Sequence, residues 1–367
     1  MLKLQFKDKI NIGFGVFFLL YVIAMLLVSI FTLRKSFEQV YQRELVNMTE
    51  SIFHIAHASF EDTQKMLNDN INVLKHFVGD RSRIDSSEKI EVRIENQISR
   101  QSKLKEIPLM FVDNHVGLSK KVSFNNELVD YITRQIGATV TIFQLIDEGL
   151  LRISTSVQRA DSTYANGTYI PTTSPVYRTI LNGETYQGRA YVVDDYYITA
   201  YRPLYQGDQL IGAYYVGVRQ SKLDMLNRTI KSYRLGETYF PYVISTEGDV
   251  VIHPYIDGGN ILHARDLNGR FFIREMVENV LENKNYSGSL EYEWTHETKE
   301  TPVTRVIYYK YFPQMDWIIA VGINKEVIYN PLYEQITTTI IVSLILFVIV
   351  LVFVFLMGRV FTRKLKT

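Results

Sequence analysis

The sequence predicts an α+β chain: a long N-terminal stalk helix followed by two tandem antiparallel-sheet units, flanked by two membrane-spanning helices. Three observations predict it. An uncharged apolar run lies near each end of the chain. A stretch after the first run repeats apolar residues three or four apart. The middle then alternates short β-branched and aromatic stretches with Gly- and Asp-containing turns, and this order occurs twice.

Ile10 to Leu33 reads INIGFGVFFLLYVIAMLLVSIFTL, 24 residues without a charge. At ~1.5 Å per residue such a helix crosses a ~30 Å hydrocarbon core. A cleaved signal peptide has an apolar region of only ~7–15 residues and a small-residue cleavage site. Leu33-Arg34-Lys35 offers no such site, so an uncleaved anchor is expected. The second span is Ile336 to Gly358. Lys3, Lys7 and Lys9 precede the first span, and Arg359, Arg363, Lys364 and Lys366 follow the second. The positive-inside rule therefore places 1–9 and 359–367 in the cytoplasm and 34–335 outside, with Arg34 and Lys35 arguing mildly the other way. The expected location is the inner membrane of a bacterial cell, with the folded segment periplasmic or extracellular. Such short tails leave no room for a cytoplasmic output domain. A separate signalling protein, such as a histidine kinase, cyclase or chemoreceptor, is then the expected partner; the alternatives are the truncated sensory half of a chemoreceptor or histidine kinase, or an accessory envelope interaction protein with no small ligand.

Composition narrows the function classes. The 367 residues carry 40 basic and 39 acidic side chains, a net charge of +1, and no arginine-rich face that would point to nucleic acid. Cysteine is absent, which removes disulfides, thiolate metal sites and cysteine nucleophiles. Tyrosine is abundant, 25 residues, and its apolar ring with a polar tip suits wet pockets and interfaces. No cofactor is expected.

Ser36 to Val78 predicts one helix about 65 Å long, with Phe37, Tyr41, Leu45, Met48, Ile52, Ile55, Leu67, Ile71, Leu74 and Val78 along its stripe. The stripe is expected to pack on its own domain and to support a homodimer. Gly79-Asp80 ends the helix. Asp85 and Glu88 have capping-box spacing, and a second helix with Ile90, Ile94 and Ile98 in step is expected; 34–124 is then a stalk and helical segment.

Residues 125–220 form the first sheet unit, expected to be membrane-distal. Asn125 to Ile136 is a short helix ended by Gly137. Thr139 to Ile146 and Leu150 to Val157 are strands about Asp147-Glu148-Gly149. A crossover with Pro171 and Pro175 carries a short helix, Val176 to Leu181. Tyr186 to Val193, Tyr196 to Tyr205 and Gln209 to Val218 follow as hairpin-linked strands, giving a PAS-like order. Residues 221–335, expected to be membrane-proximal, repeat it. A linking helix, Ser221 to Tyr233, leads to strands Tyr239 to Ser245 and Val250 to His253. A helix, Phe271 to Glu282, and strands Ser287 to Trp294, Val303 to Tyr311 and Trp317 to Ile323 complete it.

These stretches carry a resemblance. LLRISTSV, SPVYRTILNGETYQGRA, YYITAYRPLY and LIGAYYVGV in the first unit, and YVISTEGDVVIHP, DLNGRFFIREMVE and YYKYFPQMDWIIAVG in the second, resemble the Cache family of extracytoplasmic sensor domains. The likeness is to the double form in which a Cache-3-like unit precedes a Cache-2-like unit. It implies a receptor for small metabolites, often carboxylates, amino acids or amines, with chemoreceptors, kinases and cyclases as usual outputs. The tail GRVFTRKLKT resembles the opening of a HAMP linker, with Lys364 where proline is common.

A ligand in such a unit is expected on the concave face of the sheet, under the crossover. Strand alternation puts Arg152 and Ser154 on one face, and Tyr197, Thr199 and Tyr201 on one face, with Arg189 and Tyr191 pointing together. Arg152, Ser154, Arg189, Tyr197, Thr199 and Tyr201 have the chemistry to hold a carboxylate, the guanidinium as a planar charged fork and the hydroxyls as orienting groups. The resemblance singles out Arg152. Ordinary cross-strand packing is the plainer reading of the tyrosines. His253, Lys310 and Trp317 read as fold signatures. No P-loop, no dinucleotide fingerprint after a strand, no HExxH and no nucleophile elbow occurs, so no enzyme is expected. His54 and His57 share a helix face without an evident third metal ligand.

Overall fold

The computed structural model describes residues 6–113, 119–220, 230, 239–254, 256, 258–282, 286–294 and 302–364. Helix α1 runs unbroken from Phe6–Val78, so the first apolar run and the expected stalk are one 73-residue element. Leu45, Met48, Ile52, Ala56, Leu67, Ile71, Leu74 and Val78 are buried along it: the stripe that resembles a coiled-coil seam is used within the chain. Lys75 and His76 in the last turn face the negative end of the helix dipole, and the Gly79 N–H closes the helix onto the Lys75 carbonyl at 2.8 Å.

The first correction follows directly. Residues expected to form a second helix are strand β1, Ser82–Asn96, paired antiparallel with β2, Ser102–Asp113. Ile90 and Ile94 are four apart, as in a helix, but Ile90, Val92 and Ile94 also alternate, and Val92 and Ile94 are the buried pair. Ile98, the next helical position, is exposed. Asp85 is not a helix cap. Its carboxylate accepts from the Ser87 N–H at 3.0 Å and the Ser87 hydroxyl at 2.6 Å, where the β1–β2 register shifts between Asp85 and Lys89. Short polar side chains serve bulges as readily as helix ends.

The chain divides into two compact units. One comprises residues 52–232 and 312–317. Its sheet adds β3 (Ser119–Lys121), β4 (Thr139–Ile146), β5 (Gly149–Thr155), β6 (Thr168–Pro171), β7 (Tyr186–Val192), β8 (Asp195–Gln206) and β9 (Gln209–Arg219). The order is β3-β2-β1-β6-β5-β4-β9-β8-β7, antiparallel except for a short parallel β1–β6 contact. Helix α2, Glu127–Ile136, ends on Gly137 at φ 69°, with the Gly137 N–H bonded to Thr133. Helix α3, Pro175–Leu181, has Ser174 as N-cap and proline at its start. The boundaries read for β4, β5, β7, β8 and β9 agree with the structure to within two residues, whereas β1, β2, β3 and β6 were not foreseen as strands.

The other unit comprises 1–51, 233–311 and 318–367. The expected linking helix over 221–233 lies outside the described residues except for Ile230. Strands β10 (Tyr239–Ser245), β11 (Val250–Ile252), β12 (Ser287–Trp294), β13 (Val303–Phe312) and β14 (Trp317–Asn324) form a sheet in the order β11-β10-β14-β13-β12. Helix α4, Phe272–Glu282, buries Phe272, Ile273, Met276, Val277 and Val280 against it, with Phe272 stacked on Tyr292 at 4.0 Å. Trp317 fills core, and Lys310 pairs with Glu50 at 2.6 Å. Helix α5, Lys325–Lys364, holds the second apolar run. Both α1 and α5 are long and apolar enough to cross a membrane, with apolar windows of mean hydropathy 2.8 and 3.0. Phe18 and Phe347 stack between them at 5.9 Å.

Two outcomes follow. A Cβ on Gly212 would overlap the Phe143 carbonyl on the neighbouring strand. Gly212→Ala is therefore expected to destabilise by about 1–3 kcal/mol, as overpacked sites do, read by chemical denaturation followed by circular dichroism. In the second unit, burial first and the Arg305 charge second hold the His253 imidazole down at about 4. The unfolded state, with an ordinary value near 6.5, takes up the proton first. Stability contributed by neutral His253 is thus present above about pH 6.5 and lost as pH falls toward 4. Denaturation midpoints measured across that window should fall for the wild type and flatten in His253→Gln.

Candidate functional site

Strand β5 carries the central residue. Its register against β4 pairs Leu150 with Leu145 and Arg152 with Phe143, then shifts, so that Ser154 pairs with Ile142. Adjacent residues of β4 point to opposite faces, so Arg152 and Ser154 do too. The expectation that they share a face is corrected by this irregularity. Arg152 lies on the side of Phe143, Tyr197, Tyr201 and Tyr215, within the aromatic core of the unit. The Ser154 hydroxyl instead donates to the Asn125 carbonyl at 2.7 Å.

Arg152 is completely buried, at 0% exposure. One terminal nitrogen donates to the Thr168 hydroxyl and the other to the Gln97 side-chain oxygen at 3.4 Å. The guanidinium carbon stands 5.0 Å from the Phe143 ring centre. Burial lowers its pKa, and the nearby Tyr201, Tyr215 and Tyr197 oppose that shift. Arginine keeps its proton in proteins, so this is a buried cation. Among the described residues no carboxylate pairs with it, and its Nε has no hydrogen-bond partner.

The tyrosines around it are equally constrained. Tyr201 is 0% exposed and packs on Tyr215 at 4.8 Å, Tyr186 at 5.9 Å and Phe143 at 6.0 Å. Burial raises the pKa of Tyr201, Tyr215 and Tyr186, which keeps the phenols protonated. The Tyr201 hydroxyl has no partner among the described residues. Tyr197 shares the face, but its hydroxyl accepts from Arg219 at 3.0 Å. Thr199 sits between Gly188 and Gly217 in the register, and its hydroxyl donates to the Gly188 carbonyl at 2.8 Å.

Beside this core is a partly enclosed cavity of ≈ 240 Å³. Tyr201, Tyr186 and Arg189 line it from the sheet, the crossover segment from Ile170 to Val176 lines it from above, and Gln97 and Ile98 line it from the tip of the β1–β2 hairpin. Of the six residues singled out from the sequence, Arg189 and Tyr201 are on its wall; Arg152 and Tyr197 stand in the adjoining core; Ser154 and Thr199 are engaged by backbone carbonyls. Arg189 pairs with Ile198 and so belongs to the face opposite Tyr201, but it reaches the cavity from the edge strand. It is 12% exposed, donates to Gln220 at 3.0 Å and meets Asp316 at 3.4 Å.

Gln97 is the residue that the sequence did not offer. Its amide nitrogen donates to the Tyr191 carbonyl at 3.1 Å while its oxygen accepts from Arg152. Arg159 and Arg100 both hold Glu95, and Arg100 also donates to the Val193 carbonyl at 2.5 Å, so the hairpin tip is tied across the cavity mouth. Among the described residues no group of three or more His, Asp and Glu is placed to hold an ion, and His57 contacts Glu61 at 3.7 Å and the Phe312 ring.

Comparison with known proteins adds family evidence. The model of the Cache 3/Cache 2 fusion domain matches residues 32–336, well over half the chain. Solved structures with a similar fold include the ligand-binding domain of Mlp24 with asparagine, at 12% identity, covering 82% of this chain and 98% of that one with a TM-score of 0.42. The ligand-binding domain of a Campylobacter jejuni chemoreceptor in complex with L-norvaline is 13% identical, with 80% and 95% covered and a TM-score of 0.41. A Cache chemosensory domain solved to explain carboxylic acid recognition is 22% identical over 29% of this chain and 74% of that one, with a TM-score of 0.26.

The unpartnered Tyr201 hydroxyl has a measurable consequence. In Tyr201→Phe the ring stays and a buried unsatisfied oxygen is removed. The ligand-free protein is expected to keep its stability or gain up to about 1 kcal/mol, where loss of a bonded hydroxyl would cost that much. Thermal denaturation of the full chain in detergent checks the sign.

Proposed function

Since the chain belongs to the Cache 3/Cache 2 fusion family, we propose that it is a membrane-anchored extracytoplasmic sensor that binds a small carboxylate-bearing metabolite in the cavity under the crossover. The observation that carries this reading is the completely buried Arg152, with no carboxylate partner among the described residues. A buried cation is costly unless it is paired. A carboxylate entering beside Tyr201 would supply the missing charge and accept the unused Tyr201 hydroxyl and Arg152 Nε hydrogens. Gln97, at the closing hairpin, would report ligand occupancy to the rest of the strand pair, because it bonds both Arg152 and the Tyr191 backbone. An amino acid fits the same reading: its ammonium would face the Arg189–Asp316 rim, where Asp316 offers the carboxylate.

The two apolar helices act in this reading as spans of the bacterial inner membrane, with basic flanks inside and the sheets outside. The unbroken α1 carries a small axial shift from its Phe60–Leu74 portion to its apolar portion. A homodimer presents that shift to a membrane-associated signalling protein, a histidine kinase, cyclase or chemoreceptor. The ligand drives the change only through unequal affinity for two states.

The test is a thermal-shift screen of the full chain in detergent against organic acids, amino acids and amines. A ligand at ~100 times its dissociation constant adds about 2.7 kcal/mol, a rise of several degrees. The reading expects hits among carboxylates, lost in Arg152→Gln while the ligand-free melt is retained. A hit confined to amines, or no hit at all, would overturn the carboxylate reading.

A further inference from the structure

A second cavity, ≈ 480 Å³, opens between the ends of the two apolar helices. It is independent of the ligand cavity and rests only on the reading of these helices as membrane spans. Ile30 of α1 and Ile336 of α5 are the last and first residues of the apolar runs to line it, and Leu332, almost fully buried, forms its floor. Its rim is cationic and hydroxylic: Arg34 on α1, Lys325 and Tyr333 on α5, and Thr304 on β13. The cavity therefore straddles the level at which both helices pass from hydrocarbon to water, where phospholipid headgroups lie.

We propose that this cleft binds the headgroup of an anionic phospholipid, its phosphate held between Arg34 and Lys325 and the top of an acyl chain against Ile30 and Ile336. The size is in the range of small-molecule sites. Arg34 is held by Glu38 and by Tyr329, whose ring centre lies 5.8 Å from the guanidinium carbon. The Arg34 Nε donates to Glu38 at 3.2 Å, and Glu38 in turn accepts from the Tyr329 hydroxyl at 2.8 Å. A guanidinium carries five N–H donors, more than Glu38 and Tyr329 take up, so donors remain for a phosphate, which the planar fork matches. Lys325 spends one N–H on Glu291 at 2.8 Å and has others to offer. Glu326 also lines the cleft and would repel an anion, but its carboxylate is turned to the Thr304 backbone N–H at 3.4 Å. Cations that merely snorkel reach the headgroups without any cavity; here a cavity with an apolar floor lies directly beneath them. Soluble phosphate shares the charge chemistry but makes no use of Ile30, Leu332 and Ile336, so the lipid is the better occupant. Seated there, the headgroup would bridge α1 and α5.

The experiment uses the full chain in nanodiscs of phosphatidylcholine with increasing phosphatidylglycerol carrying a headgroup-adjacent fluorophore, read by energy transfer from the protein. Wild type is expected to enrich phosphatidylglycerol in its annulus, and the Arg34→Gln, Lys325→Gln double variant to lose about thirtyfold in apparent affinity, the scale of two interfacial cations. Lys35→Gln removes the neighbouring cation outside the cleft and is expected to bind as wild type. The proposal is overturned by equal enrichment of both lipids in wild type, by no loss in the double variant, or by an equal loss in Lys35→Gln, which would reduce the effect to net charge. Full competition by millimolar inorganic phosphate would also overturn it, in favour of a soluble anion. Reconstitution without preference would leave the membrane reading intact, so the two failures are distinguishable.

Discussion

The nine-stranded unit is organised around a charge that has been taken out of water. A guanidinium with no solvent and no carboxylate among the described residues is among the least favourable things a core can hold. What surrounds Arg152 is what partial compensation looks like. Thr168 and Gln97 accept from its terminal nitrogens, the face of Phe143 offers its negative quadrupole, and three tyrosines place polarisable rings nearby. These groups come from five elements: β6, the hairpin tip, β4, β8, which carries both Tyr197 and Tyr201, and β9. Part of the aromatic richness of the chain, Phe143, Tyr197, Tyr201 and Tyr215, is gathered around this cation.

Much of the fold was legible because most of its strands are bounded by unmistakable turn chemistry. Asp147-Glu148-Gly149, Gln206-Gly207-Asp208 and Thr246-Glu247-Gly248-Asp249 each end one strand and begin another. Where no turn signal interrupts the apolar pattern, period alone decides, and it decided wrongly at β1. Ile90, Ile94 and Ile98 satisfy a helix as well as Ile90, Val92 and Ile94 satisfy a strand. Only pairing with β2 resolves that ambiguity, and pairing is not a local property. The same limit applied to the site. Tyr201 could be placed by alternation along its strand, whereas Arg189 lies on the opposite face and reaches the cavity only because its strand is at the sheet edge. Ser154 could not be placed, because the register shift in the β4–β5 ladder reverses the faces beyond Arg152. Gln97 was invisible because its whole hairpin had been assigned to a helix.

The charge pattern of the cavity bears on what the proposed ligand must be. Burial holds Tyr201, Tyr215 and Tyr186 protonated, so the phenols donate and carry no charge that would satisfy Arg152. In a low-dielectric core an anion gains from Arg152 far more than it would in water, and an unattached amine would add a second positive charge to one already uncompensated. A zwitterion resolves both constraints only if its two charges can reach two places. Arg189, on the cavity wall, is paired with Asp316 at 3.4 Å, and this part-exposed carboxylate would be the second place on the proposed reading. A ligand ammonium arriving there must compete with Arg189 for that carboxylate. On the proposed reading the two occupants differ in cost: a simple carboxylate would meet Arg152 alone, whereas an amino acid would also have to reorganise the Arg189–Asp316 pair.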